Sequence, residues 1–192
     1  MKSLFLFLLF AFILILHANC QIEKNYWLTG GMAKFYNYNS EISSTNFNTQ
    51  AKYTQVELSA IIGYFIADKF SIGLKPTFSS IKGRVTSTGG GSTNVQRYLM
   101  GPFCRYYLLE KEKQTNIVSE ISYQIGTFGG GLKGSLNTFS ALIGPELFFN
   151  SSAGIEFLIG YCYTKEDAKN AIKEVRKGIQ FSIGFQLHLT KD

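Results

Sequence analysis

The chain has 192 residues, of which 45% are hydrophobic, 15% aromatic and only 17% charged, with a formal net charge of +6 at pH 7. The basic residues are scattered rather than clustered, which argues against nucleic acid as a partner. Beyond Cys20 there are only Cys104 and Cys162, on opposite strand faces in the phases below, so no disulfide framework is expected.

Lys2 is followed by an apolar run from Leu4 to Leu16 and then by His17-Ala18-Asn19-Cys20-Gln21. At roughly 13 residues the run is short for a spanning helix, which needs about 20. Ala18 and Cys20 supply small residues three and one positions before Gln21, so residues 1–20 read as a cleaved signal peptide and 21–192 as one barrel domain. The competing reading, a lipidated Cys20, is disfavoured because His17 and Asn19 stand where apolar and small residues are expected.

No later apolar run is long enough for a membrane helix, and alternation predicts eight strands. They lie near Tyr26 to Tyr36, Tyr53 to Ile66, Phe70 to Val85, Val95 to Leu109, Thr115 to Phe128, Thr138 to Phe149, Ala153 to Thr164 and Gly178 to Leu189. Ala67 to Lys69, Glu110 to Gln114 and Asn150 to Ser152 are tight connections; Asn37 to Lys52, Thr86 to Asn94, Gly129 to Asn137 and Lys165 to Lys177 are longer. Short turns alternating with long loops is the asymmetry of an outer-membrane barrel. The glycine runs at 89–91 and 129–131 lack a following Lys-Ser/Thr and read as loop tips rather than phosphate cradles.

A soluble barrel turns its apolar face inward and a membrane barrel turns it outward, so alternation alone does not choose. Glycine does. Gly63, Gly73, Gly101, Gly126, Gly144, Gly160 and Gly184 all share the polar face, and small residues belong on the crowded concave side of a small barrel. Val56, Leu58, Ile62, Ile72, Leu74, Ile121, Ile125, Ile143, Leu147, Ile155, Phe157 and Ile159 then face outward, a belt that lipid satisfies and water does not. Aromatics cluster at strand ends: Tyr64 and Phe65, Tyr106 and Tyr107, Phe148 and Phe149 by the turns, and Tyr53, Phe78, Tyr98, Phe139, Tyr161 and Tyr163 towards the loops. These predict two interfacial girdles.

Ile62-Gly-Tyr-Phe-Ile-Ala-Asp-Lys-Phe-Ser-Ile-Gly73, Gly101-Pro-Phe-Cys-Arg-Tyr-Tyr107, Gly144-Pro-Glu-Leu-Phe-Phe149 and the alternating strand to Leu189 resemble the outer-membrane protein β-barrel domain family, the small barrels of Bacteroidetes-type bacteria. The resemblance implies an all-β, eight-stranded antiparallel up-and-down transmembrane barrel in the bacterial outer membrane, with no shared catalytic motif. The chain departs from the pattern by ending Thr190-Lys191-Asp192 instead of on an aromatic residue.

Equal-height pairing on the polar face predicts a structural charge band, with Lys75 near Arg105, Arg105 near Glu120, Glu120 near Glu146, Glu146 near Glu156 and Glu156 near Gln186. Three glutamates against two bases predict that at least one of Glu120, Glu146 and Glu156 takes up a proton or recruits another cation. A glycosidase-like glutamate pair is the weaker alternative, because the lumen is too narrow for a sugar. His188, the one histidine after the leader, reads as a polar lumen or rim residue lacking the Ser and acid of a lipid deacylase. No metal-ligand cluster is visible and no cofactor is expected.

The segment Lys165 to Lys177 is rich in helix formers and predicts a short helical turn. Its basic residues Lys165, Lys169, Lys173, Arg176 and Lys177 are candidate contacts for lipopolysaccharide phosphates, against the simpler alternative of a solvated loop.

The expectation is a non-enzymatic, monomeric outer-membrane barrel for envelope structure or surface binding and adhesion. Its partners would be outer-membrane lipids, lipopolysaccharide and the barrel assembly machinery. The alternatives are a narrow solute-transport barrel, a lipid-modifying outer-membrane enzyme and a soluble secreted ligand-binding barrel.

Overall fold

The structure, a computed structural model, describes residues 22–44, 47–85, 91–110, 113–130, 133–168 and 173–190. Ten strand segments follow in order: β1 (Trp27–Ser44), β2 (Phe47–Ala67), β3 (Phe70–Leu74), β4 (Thr77–Val85), β5 (Ser92–Met100), β6 (Pro102–Tyr107), β7 (Thr115–Gly130), β8 (Gly134–Phe148), β9 (Ala153–Ala168) and β10 (Lys173–Leu189). β3 and β4 are one stave interrupted at Lys75-Pro76, and β5 and β6 one interrupted at Gly101. Across these breaks the ladder continues, with Ala60 N donating to Pro76 O at 2.9 Å and Lys75 N to Gly101 O at 2.9 Å. Pro76 has no amide hydrogen to give back, which accounts for the interruption.

The eight staves are antiparallel, and β10 pairs with β1 to close the ring. From Ile183 on β10, successive partners are Ala33, Leu58, Phe78, Tyr98, Thr127, Ser135 and Asp167, and the circuit returns to β10 at Lys173, ten residues from its start. Eight staves with a stagger of ten imply a strand tilt of about 40° and a backbone diameter of about 16 Å, a tube whose own side chains fill it.

Alternation assigns the faces. On β10, Ile179 and Phe181 are 73% and 69% exposed while Gln186 and His188 are fully buried. The polar, glycine-bearing face is therefore inside and the oily face outside. The seven glycines of the polar phase point inward, where an added Cβ lacks room: on Gly101 it would strike the Tyr123 carbonyl oxygen, and on Gly160 the Ala141 carbonyl oxygen. From Ile179 to Leu189 the apolar belt is about 25 Å tall, the height of a bilayer's hydrocarbon band.

Three sequence expectations are corrected. The long connections are largely strand over their described residues: β1 and β2 pair out to Ser44 and Phe47, and β7 and β8 out to Phe128 and Gly134. Beyond the lipid, water pairs the edge groups that a two-stranded ladder leaves open, so polar residues above the belt continue the hairpins. The helical turn expected within Lys165 to Lys177 is likewise strand over its described part, with Val175 opposite Lys165 and Lys173 opposite Asp167; so short a segment pays helix nucleation without tertiary return. Lys169 lies outside the described residues.

The turn-side girdle is the third correction. Tyr64, Tyr106 and Phe149 face out, with Trp27 set edge-on to Tyr64 at 5.1 Å, whereas Phe65, Tyr107 and Phe148 are buried inside. Adjacent residues of a strand point to opposite faces, so only one of each pair can reach lipid.

Candidate functional site: the barrel lumen

The register stacks the lumen in layers from the turn end upward. At the floor Phe65, Tyr107 and Phe148 surround His188, with ring centroids 5.7, 5.7 and 5.3 Å from the imidazole. Ile22, Leu28 and Val118 complete this apolar plug. Ile22 is tied in by Lys69 N, which donates to its carbonyl at 2.8 Å.

Above the floor lie the six residues of the predicted charge band, all fully or almost fully buried. Glu120 accepts from Lys75 Nζ at 2.5 Å and from Arg105 Nη2 at 2.6 Å. Arg105 Nη1 donates to Glu156 at 2.9 Å, and Gln186 Nε2 donates to the same carboxylate at 2.8 Å. One guanidinium thus spans two carboxylates on different staves.

Two expected neighbours are not brought together. Glu146 is opposite Asn116, while Glu120 is opposite Leu142, four residues higher on the same stave. Glu146 does face Glu156 across β8 and β9, but its close side-chain partner is His188 Nε2 at 3.1 Å. His188 is therefore not at the rim: it is sealed beneath the cluster, standing beside the glutamate left over by the two bases.

Ile61, Phe103, Leu142 and Leu158 form a buried apolar collar around the cluster, with the Arg105 guanidinium 6.0 Å from the centre of the Phe103 ring. Higher still the lumen opens into a cup of ≈ 200 Å³ facing the hairpin side. Its wall carries Lys34 paired with Glu57 at 2.7 Å, Arg97 with Glu166 at 2.7 Å, and Arg176 with the same Glu166. Lys34 also reaches Gln180 at 3.3 Å. Cys162 lines this cup as a free thiol, whereas Cys104 sits on the outward phase.

The Lys34, Glu57, Arg97 and Glu166 pairs were missed by the sequence reading, although the phase of Gly63 and Gly101 already put Glu57 and Arg97 inside. Of the candidate lipopolysaccharide contacts, Lys165 and Lys177 are exposed and outward on adjacent staves, while Arg176 turns into the cup. Lys173 lies on β10, and nothing is described of its side chain or of Lys169. Among the described residues no three His, Cys, Asp or Glu side chains gather as a metal site, and no helix is long and apolar enough to cross a membrane, which says nothing of spanning strands.

A closed eight-stave ring with a lipid-type exterior, a packed lumen and no helix among the described residues defines the class: a small up-and-down transmembrane β-barrel. Solved structures that superpose on it include outer-membrane proteins. The crystal structure of outer membrane protein OprG from Pseudomonas aeruginosa superposes with a TM-score of 0.62 at 14% identity, covering 91% of this chain and 100% of that one. Neisserial surface protein A (NspA) gives a TM-score of 0.52 at 17% identity, covering 85% and 97%. At these identities the likeness is one of fold. No protein-family model matches the chain, and no curated protein matches it in sequence.

Proposed function

We propose that the chain is exported under a signal peptide cleaved before Gln21 and resides in the bacterial outer membrane as a monomeric, non-enzymatic barrel. Its role on this reading is envelope structure or binding through the hairpins that project beyond the lipid belt. The observation that carries it is the closed lower lumen: an aromatic floor and a hydrogen-bonded charge cluster occupy the cross-section, leaving a blind cup above. Ile22, held at the turn-side mouth, supports export with the mature N-terminus on the periplasmic side, delivered by the barrel assembly machinery. The affinity with Bacteroidetes-type barrels rests on the sequence motifs.

The non-enzymatic reading is supported by the state of the acids. Glu146 and Glu156 are opposed but buried against His188, Arg105 and Gln186, and neither lines the cup. The experiment is twofold. Unboiled protein from an outer-membrane fraction migrates as a folded species that shifts on heating, and planar-bilayer recording shows no steady conductance. A steady open channel would overturn the closed-lumen reading, and absence from the outer-membrane fraction would overturn the location.

A further inference from the structure

The outer surface has one face whose chemistry neither the lumen nor the hairpin loops explain. On β2 and β4, Lys52 stands directly opposite Arg84, and Lys82 is the next outward residue down β4. All three are exposed, and among the described residues none is ion-paired with a carboxylate. Like charges directly opposed across a ladder destabilise it. The outward neighbours Thr54, Ser80 and Asn94 carry no compensating charge.

A second feature lies below them on the same staves. Gly31, Ala60 and Pro76 are laterally adjacent and have little or no side chain, leaving a groove of ≈ 560 Å³ walled by Leu58, Phe78, Tyr98 and Met100. Phe78 and Tyr98 meet with tilted rings, centroids 5.3 Å apart, along its upper edge within the belt. Lys82 is four residues further up β4 than Phe78, about 10 Å along the barrel axis, which places the cations at headgroup height.

We propose that the β2–β4–β5 face binds one phosphorylated glycolipid of the outer leaflet, its phosphate held by Lys52, Lys82 and Arg84 and an acyl chain lying in the groove over Gly31, Ala60 and Pro76. This rests on the outer-membrane reading and gives it a lipid partner on a face different from the basic β9–β10 hairpin. Guanidinium and ammonium groups together suit a phosphate, and a polybasic site at an interface gains affinity with each cation. A cation patch without the groove would suit any anion. The groove beneath it selects one that carries acyl chains.

The test is native mass spectrometry of the folded full-length protein, extracted from outer membranes in detergent and titrated with diphosphorylated lipid A and with its dephosphorylated form. K52Q/K82Q/R84Q is expected to weaken binding of the phosphorylated lipid by about 100-fold. Ala60→Phe, which fills the groove, weakens binding of both forms, and K165Q/K177Q leaves binding unchanged. Heat-shifted gel migration verifies that each variant is folded. If the folded triple variant binds as the wild type does, or K165Q/K177Q abolishes binding, the site is overturned while the location stands; wild-type protein missing from the outer membrane overturns both.

Discussion

Arg105 is the side chain on which the lumen depends most. Its guanidinium makes four hydrogen bonds to two carboxylates and is fully buried, as are Glu120 and Glu156. In Arg105→Leu, Glu120 keeps Lys75 at 2.5 Å, but Glu156 keeps only the neutral Gln186 amide at 2.8 Å. Stranding a buried charge in this way costs about 3–5 kcal/mol. Lys75→Met, by contrast, leaves Glu120 its two bonds from Arg105 and is expected to cost about 1–3 kcal/mol. If the abandoned Glu156 charge is the origin of the loss, adding Glu156→Gln to Arg105→Leu restores about 1–3 kcal/mol. The folded fraction is read from unboiled gel migration across a urea series in detergent. An Arg105→Leu barrel within about 1 kcal/mol of wild type, or a double variant whose losses simply add, would refute the argument.

The face assignment predicts that Phe181→Lys, at a side chain 69% exposed on the lipid side, destabilises the barrel in bilayers by about 2–4 kcal/mol, measured by urea unfolding in vesicles; no loss would point to a soluble barrel. Gly160→Val is expected to abolish the heat-shifted folded band because its Cβ meets the Ala141 carbonyl, whereas Gly178→Val, with open space around it, leaves that band intact. In folded protein in vesicles, a small charged thiol reagent added from the hairpin side should modify Cys162 in the cup and spare Cys104 on the lipid-facing phase until unfolding; equal labelling of both would contradict the orientation.

Much of this architecture is legible in the chain because strand chemistry has period two. Eight alternating segments, glycine on their polar phase and tight turns between alternate pairs specify a barrel with its oily side out. Even the members of the charge cluster follow, since phase alone places Lys75, Arg105, Glu120, Glu146, Glu156 and Gln186 on one face. Aromatic clustering at strand ends misleads where phase is set aside: Phe65, Tyr107 and Phe148 adjoin outward aromatics, yet alternation turns them in. The hairpin segments looked like loops because they are polar, yet a paired strand leaving the membrane has no need of apolar residues.

Sequence by itself thus determined which residues share a face, and with the glycines which face is inside. Only the tertiary structure decided which of those residues meet. Contact inside a barrel depends on stagger, a property of the closed ring that no single hairpin carries. A circuit that returns ten residues along β10 brings Arg105 between Glu120 and Glu156, sets Glu146 lower against His188, and stacks Lys52, Lys82 and Arg84 above the Gly31, Ala60 and Pro76 groove.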